Sequence, residues 1–294
     1  MWFAKFFVTL QSNNETNINN KNNTNMKKRI YHLMLAAIIA CGAMTLTSCS
    51  IDDNPVIPDS LAEKIIGKWM TADFYGVPVP TNNKMSYTFV STTKGYISAS
   101  LNSRQESASH WNEQSEVSVA INGNKVTVTS HPEENRTEVE EYTITAINDS
   151  EFNANRKITI TADGVVVISV EQSVRFVKQT ADYSAAIVGT WQGRCTSEGS
   201  VFDDGQEHRW QYKADGTYVY YVKDGDNWVP YATNTLNEYF VDGTLLCTRW
   251  IDLGQENREW WEITINGDKM NWTALRENPD GTTFTATFEM KKVE

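Results

Sequence analysis

"AAIVGTWQG" occupies Ala185–Gly193, and "EKIIGKWMT" occupies Glu63–Thr71. Each sets a Gly-x-Trp directly behind a short apolar lead-in. Working outward at a shift of about 120 residues, the chain repeats itself. "YTFVSTTKGYIS" (87–98) meets "WQYKADGTYVYY" (210–221), and Trp111 meets Trp228. "VSVAINGNKVTVTS" (117–130) meets "NEYFVDGTLLCTRW" (237–250), and "EEYTITAINDSEFNA" (140–154) meets "REWWEITINGDKMNW" (258–272). Finally "QSVRFVKQ" (172–179) meets "TATFEMKK" (285–292). The landmarks keep their order while the offset shrinks, as loop deletions produce. A period this long belongs to whole domains rather than to solenoid repeats.

Each half reads as β-structure. Two alternating runs flank Asn-Gly in "VSVAINGNKVTVT", a strong hairpin signal. "VDGT", "INGD", "TADGVV" and "NPDGTT" add turns. About eight short, evenly spaced strands in the second half fit an up-and-down barrel or a sandwich. Helical patterning is confined to the lead-ins "SLAEKII" and "YSAAIV", single turns with Ser60 and Ser184 as candidate N-caps.

A helical turn, a Gly-x-Trp opening the first strand and antiparallel strands over about 115 residues resemble the lipocalin-like family. The resemblance implies two tandem antiparallel up-and-down barrels, at 61–180 and 183–294. It also implies structural roles for Gly67, Trp69, Gly189 and Trp191: the tryptophan packs across the closed end, and the glycine lets the chain pass close by. The family's Thr-Asp-Tyr motif is missing, and Arg175 is a candidate for its late arginine in the first half only. This departure points to a divergent bacterial branch, and the ligands of animal lipocalins do not carry over.

Side-chain parity separates the halves. In "RWQYKADGTYVYYVK" (209–223), a three-residue turn Ala214-Asp215-Gly216 pairs Lys213 with Thr217, Tyr212 with Tyr218 and Trp210 with Tyr220. All four rings then share one face, opposite Arg209, Gln211, Lys213, Thr217, Val219, Tyr221 and Lys223. A two-residue turn would scramble the faces. The same parity turns Trp261, Ile263, Ile265, Met270, Trp272, Phe284, Ala286, Phe288 and Met290 inward. The first half reads as aliphatic, through Val117, Val119, Ile121, Val126, Val128, Ile144, Ile158 and Ile160. The first barrel is expected to be a packed support and the second a receptor. Trp210, Tyr212, Tyr218, Tyr220, Trp261 and Trp272 are the ligand-binding candidates. Two readings of these rings stay open: an eight-stranded barrel is just wide enough to be filled by its own side chains, whereas an aromatic cup at the open end would hold a ligand.

At the N-terminus, "MKKRIYHLMLAAIIACGAMTLTSCSIDDNPVIPDS" carries a basic start, an apolar run and small residues before Cys49. "LTSC" (46–49) resembles the lipobox of bacterial lipoproteins, which implies a signal peptide at 26–48 and diacylglycerol on Cys49. A plain transmembrane helix is the alternative, since the apolar stretch nearly spans a bilayer. Met26 reads as the start, and Asn-rich residues 1–25 as a mis-start or disordered segment. Ser50 with Asp52 and Asp53 resembles the acidic surface-export signal of Bacteroidetes lipoproteins. Residues 49–60 read as a lipidated tether. The expected location is the outer membrane, with the cell surface favoured over the periplasmic face, held by lipid rather than by a protein span.

The chain has 26 Lys+Arg against 37 Asp+Glu; without residues 1–48, which carry five basic and one acidic residue, the formal charge is −15. No basic cluster remains, so nucleic acid is not an expected partner. Cys195 and Cys247 form a disulfide only if their Cα atoms lie close; two separate buried thiols are the alternative. His110, His131 and His208 are scattered without metal-ligand spacing and read as surface or loop positions. "DDG" at Asp203 and "DGDN" at Asp224 read as turns, not calcium loops. "HPEENRTEVEE" (131–141) reads as a solvated acidic loop. No nucleophile elbow or phosphate loop occurs. No cofactor, metal or catalytic residue is therefore assigned. The expected function is binding of a small apolar, aromatic or sugar ligand. The alternative is a surface interaction module with solid barrels, reached through outward rings such as Tyr221 and Trp260 and serving an envelope partner; a hydrolase is the weaker third reading.

Overall fold

The computed structural model describes residues 61–98, 114–198, 200, 202–231 and 234–293. Cys49, the expected export signal at 26–48, the expected tether at 49–60, Ser60, His110 and Trp111 lie outside the described residues.

The protein is all-β and builds two tandem barrels. After a one-turn helix α1 (Leu61–Lys64), the first sheet contains β1 (Gly67–Phe74), β2 (Val77–Pro78), β3 (Ser86–Phe89), β4 (Lys94–Ser98), β5 (Ser115–Asn122), β6 (Lys125–Glu133), β7 (Arg136–Ile147), β8 (Glu151–Ala162) and β9 (Val165–Gln179). Neighbours pair antiparallel in meander order, and β1 pairs both β3 and β9. Eight strands therefore close on themselves, with β2 a short edge on β1.

The second sheet contains β10 (Gly189–Cys195), β11 (His208–Tyr212), β12 (Tyr218–Asp224), β13 (Asn227–Pro230), β14 (Asn234–Asp242), β15 (Leu245–Asp252), β16 (Gln255–Asn266), β17 (Lys269–Glu277) and β18 (Thr283–Lys292). Its order is β13-β12-β11-β10-β18-β17-β16-β15-β14, so β13 and β14 are edges. The curled sheet is tied across by the Thr217–Glu238 bridge and by the Tyr239 N–H donating to Gly216 O at 2.8 Å. The repeated stretches fall on equivalent strands: 87–98 on β3–β4 and 210–221 on β11–β12, 117–130 on β5–β6 and 237–250 on β14–β15. The later pairs match as well, on β7–β8 and β16–β17, then β9 and β18.

The two Gly-x-Trp motifs are built alike. Trp69 and Trp191 are fully buried. Their indole N–H groups donate to Ile65 O at 2.7 Å and Ile187 O at 2.6 Å, four residues back. A lysine from the last strand of each sheet lies over the ring, Lys178 over Trp69 at 5.0 Å and Lys292 over Trp191 at 5.2 Å. Gly67 and Gly189 have φ of 129° and 136°, a region L side chains rarely adopt. A Cβ on Gly67 would also lie 2.9 Å from Lys178 Cε. The second lead-in is a turn closed by Ile187 N–H donating to Tyr183 O; Asp182, not Ser184, supplies the capping carboxylate, accepting the Ser184 N–H at 2.9 Å.

The first barrel is not the aliphatic support its valines suggest. Trp69, Tyr87, Phe89, Tyr142, Phe152 and Phe176 are buried together with the valines of β5 and β6. Inside the barrel, Arg156 Nε donates to Glu140 Oε2 at 2.8 Å, and Tyr87 and Tyr142 both donate to the same carboxylate. Burial disfavours the Arg156 charge, but Glu140 and the two phenols outweigh it and hold the guanidinium pKa above its ordinary value. Residues 131–141 are accordingly strand, turn and strand rather than a loop, and Glu140 faces inward from β7.

Both sheets belong to one compact unit and meet through a specific interface. Met70 packs with Leu245, Cys247 and Trp260, flanked by Phe240. Around this patch Lys68 pairs with Asp242, Ser86 Oγ donates to Asp242 Oδ2 at 2.5 Å, and Lys84 pairs with Glu262 at 2.8 Å. Burial pushes the Asp242 carboxyl up, but Lys68 and the hydroxyl donors pull its pKa below the ordinary value. Trp260 does point out of its own barrel, yet it is 1% exposed because the first barrel covers it. It is not the external contact the sequence suggested. Residues 183–294 expressed alone are expected to unfold cooperatively, since about 110 residues support a core. Their urea midpoint should lie below that of the intact chain, because Leu245 and Trp260 lose their cover. An isolated half without a cooperative transition by circular dichroism would show that the repeats are not separable domains.

Candidate functional site

The β11–β12 hairpin has the three-residue turn. Lys213 N–H donates to Thr217 O at 2.9 Å, Gly216 takes φ 81°, and Trp210 faces Tyr220 as Tyr212 faces Tyr218. That register puts the four rings on the inner face, where they join Trp261 and Trp272 in one cluster. The rings connect continuously. Centroids lie 5.3 Å apart for Trp210–Tyr220, 4.8 Å for Trp210–Trp272 and 5.4 Å for Trp261–Trp272. Phe288 contacts Trp210, Trp261 and Trp272 from β18.

Depth divides the six candidates. Tyr212, Tyr218, Trp261 and Trp272 are buried, whereas Trp210 and Tyr220 are only partly covered. The Tyr212 hydroxyl and the Trp272 indole nitrogen are buried without a hydrogen-bond partner. Trp191 and Ile187 lie at the Gly-x-Trp end of the same core.

A polar group gathers around the accessible rings. His208 Nδ1 is 2.8 Å from the Tyr220 hydroxyl, and its Nε2 is 3.1 Å from Asp204 Oδ1. An ionised carboxylate only accepts, so a neutral ring carries its proton on Nε2 and receives the phenol proton on Nδ1. Burial lowers the His208 pKa, partly opposed by Asp204, and burial raises that of Tyr220. His208 is thus a buried strand residue, contrary to the surface or loop position expected. Phe202, from the β10–β11 connection that also carries Asp204, packs on Trp261 at 5.4 Å. Glu259 and Arg276 share the inward parity of Trp261 and Trp272 and reach the same region. Burial raises the Glu259 pKa, with Arg276 and the Trp261 indole opposing; burial lowers the Arg276 pKa, with Glu259 opposing.

Cys195 and Cys247 are not joined in a disulfide; both are buried and belong to different clusters, one inside the second barrel and one at the interface. Sequence reading missed His208, Phe202, Glu259 and Arg276. The signal was present for three of them: His208 lies two residues before Trp210, Glu259 two before Trp261, and Arg276 four after Trp272. Phe202 sits in a loop, where alternation has no meaning.

No protein-family model matches the chain, and no curated protein does either. Among solved structures it is similar to a protein of unknown function of the DUF3598 family from Nostoc punctiforme. Identity there is 10%, with 79% of this chain and 97% of that one covered and a TM-score of 0.23. It is also similar to a variant of the vaccine antigen transferrin binding protein B from Haemophilus parasuis, at 9% identity. That match covers 78% of this chain and 75% of the other with a TM-score of 0.20.

Proposed function

We propose that the chain is a lipid-anchored binding protein of the cell envelope whose second barrel holds a small apolar, aromatic or sugar ligand. The observation that carries this reading is the contrast between the barrels. The first is bonded shut around a satisfied Arg156–Glu140 network. In the second, no ladder joins the end strands β13 and β14 among the described residues, and Trp210 and Tyr220 stay partly accessible beside His208. Rings supply stacking area, and the hydroxyl and imidazole supply orientation. Native mass spectrometry of residues 50–294, made without lipid, is the test. A co-purifying small mass is expected; a clean apo mass, with no compound retained from an aromatic, lipid and glycan panel, would reject the carrier.

A solid interaction module is the competing reading. The burial of Trp260 removes one of its anchors, leaving Tyr221, bonded to Gln211 at 3.1 Å, and Trp228 under Arg209 at 4.6 Å. The anchor itself rests on "LTSC". Cys49→Ala is expected to abolish fatty-acid labelling and to block normal processing. Labelling retained in that variant would remove the lipoprotein proposal, and with it the proposed outer-membrane location.

A further inference from the structure

Beside the partly covered rings of the second barrel, Arg276 and Glu259 share no hydrogen bond; each is bonded elsewhere. The Arg276 guanidinium carbon lies 4.7 Å from the Trp261 ring centroid and 5.7 Å from that of Phe202. One nitrogen, Nη2, donates to Trp260 O at 3.0 Å, while the Nε–H is buried with no partner. Glu259 is occupied elsewhere, its Oε2 accepting the Trp261 indole N–H at 3.1 Å. Arg276 and Glu259 act on each other through space, without a hydrogen bond between them.

A buried N–H with no partner is costly. The planar guanidinium fork suits a carboxylate, and aromatic walls of low polarity strengthen such a contact. We infer that Arg276 receives the carboxylate, or a similar planar oxyanion, of a ligand whose aromatic body lies against the ring wall that includes Trp210 and Tyr220. This rests on the reading of the second barrel as a ligand cup and adds the charge class of its occupant. Burial disfavours the charged form of Glu259, and neutral His208 adds no charge of its own. The chain as a whole is acidic, with a formal charge of −11, so its long-range field opposes anions. A preference for an anion must therefore come from the local site.

The test uses naphthoate and naphthamide of the same ring position, titrated calorimetrically into the intact protein at neutral pH. The two share an aromatic body and differ in charge. Naphthoate is expected to bind about tenfold more tightly or better, the scale of a hydrogen bond to a charged group. Arg276→Met should bring the two affinities together by weakening naphthoate alone, and Arg276→Lys, which keeps charge but not the fork, should fall between. Naphthamide binding as well as naphthoate would overturn the anion assignment while leaving the cup standing. A naphthoate preference undiminished in Arg276→Met would overturn the role of Arg276. Binding of neither compound would overturn both this inference and the reading beneath it. The wild-type ratio needs no variant, so a substitution that fails to fold does not blunt the test.

Discussion

Arg156→Ala is expected to destabilise the protein by about 3–5 kcal/mol, the usual cost of removing one partner of a buried ion pair. Arg156 and Glu140 are 6% and 7% exposed inside a barrel that eight strands close. Without the guanidinium, the Glu140 carboxylate keeps only two phenol donors, Tyr87 and Tyr142, in a site water does not reach freely. The cost is thus the stranded charge rather than the lost attraction. A second variant separates the two. Arg156→Met with Glu140→Leu, Tyr87→Phe and Tyr142→Phe removes every polar member together, and should recover most of the loss, since apolar replacement of a whole buried network is often neutral. Urea melts of both variants decide it. A loss below about 1 kcal/mol in Arg156→Ala, the range of exposed pairs, would show that the network is solvated.

The ring series should split by depth. Trp261→Ala and Trp272→Ala are expected to cost about 3–5 kcal/mol, as large aromatic truncations in cores do. Trp272 touches three rings, Trp210, Trp261 and Phe288, and pairs with Ile263 across the sheet; none can collapse into an indole-sized void without leaving its strand. Trp210→Ala and Tyr220→Ala should cost roughly 1–2 kcal/mol, because only part of each ring leaves water on folding, while ligand-dependent fluorescence quenching is lost. Tyr212→Phe belongs to the deep class with the opposite sign: its hydroxyl is buried without a partner, so deleting it should leave stability unchanged or higher. Denaturant melts are paired with titrations against lipid, aromatic and glycan compounds. Equal large losses at all six positions, with no quenching by any compound, would leave a solid second barrel.

What the sequence determined by itself is local or periodic. The Asn-Gly and Asp-Gly turns and the ordered repeat sufficed for two all-β halves, because strand alternation and turn length depend on neighbouring residues alone, whereas the choice of barrels over sandwiches came from the lipocalin-like resemblance of the Gly-x-Trp motifs. The Lys213–Thr217 register, and with it the shared face of Trp210, Tyr212, Tyr218 and Tyr220, follows from one three-residue turn. Parity says which face a side chain takes, but not what lies above that face. Only the tertiary structure decided that Glu140, which read as part of a solvated loop, meets Arg156 inside the first barrel. It alone decided that outward Trp260 is covered by Met70 from the other repeat. Depth was equally invisible: Tyr212 and Tyr220 share a face and a residue type, yet one is sealed in the core and the other only partly covered. Closure of a sheet and docking of two barrels bring together residues far apart in the chain, and no local pattern encodes which of them will cover which.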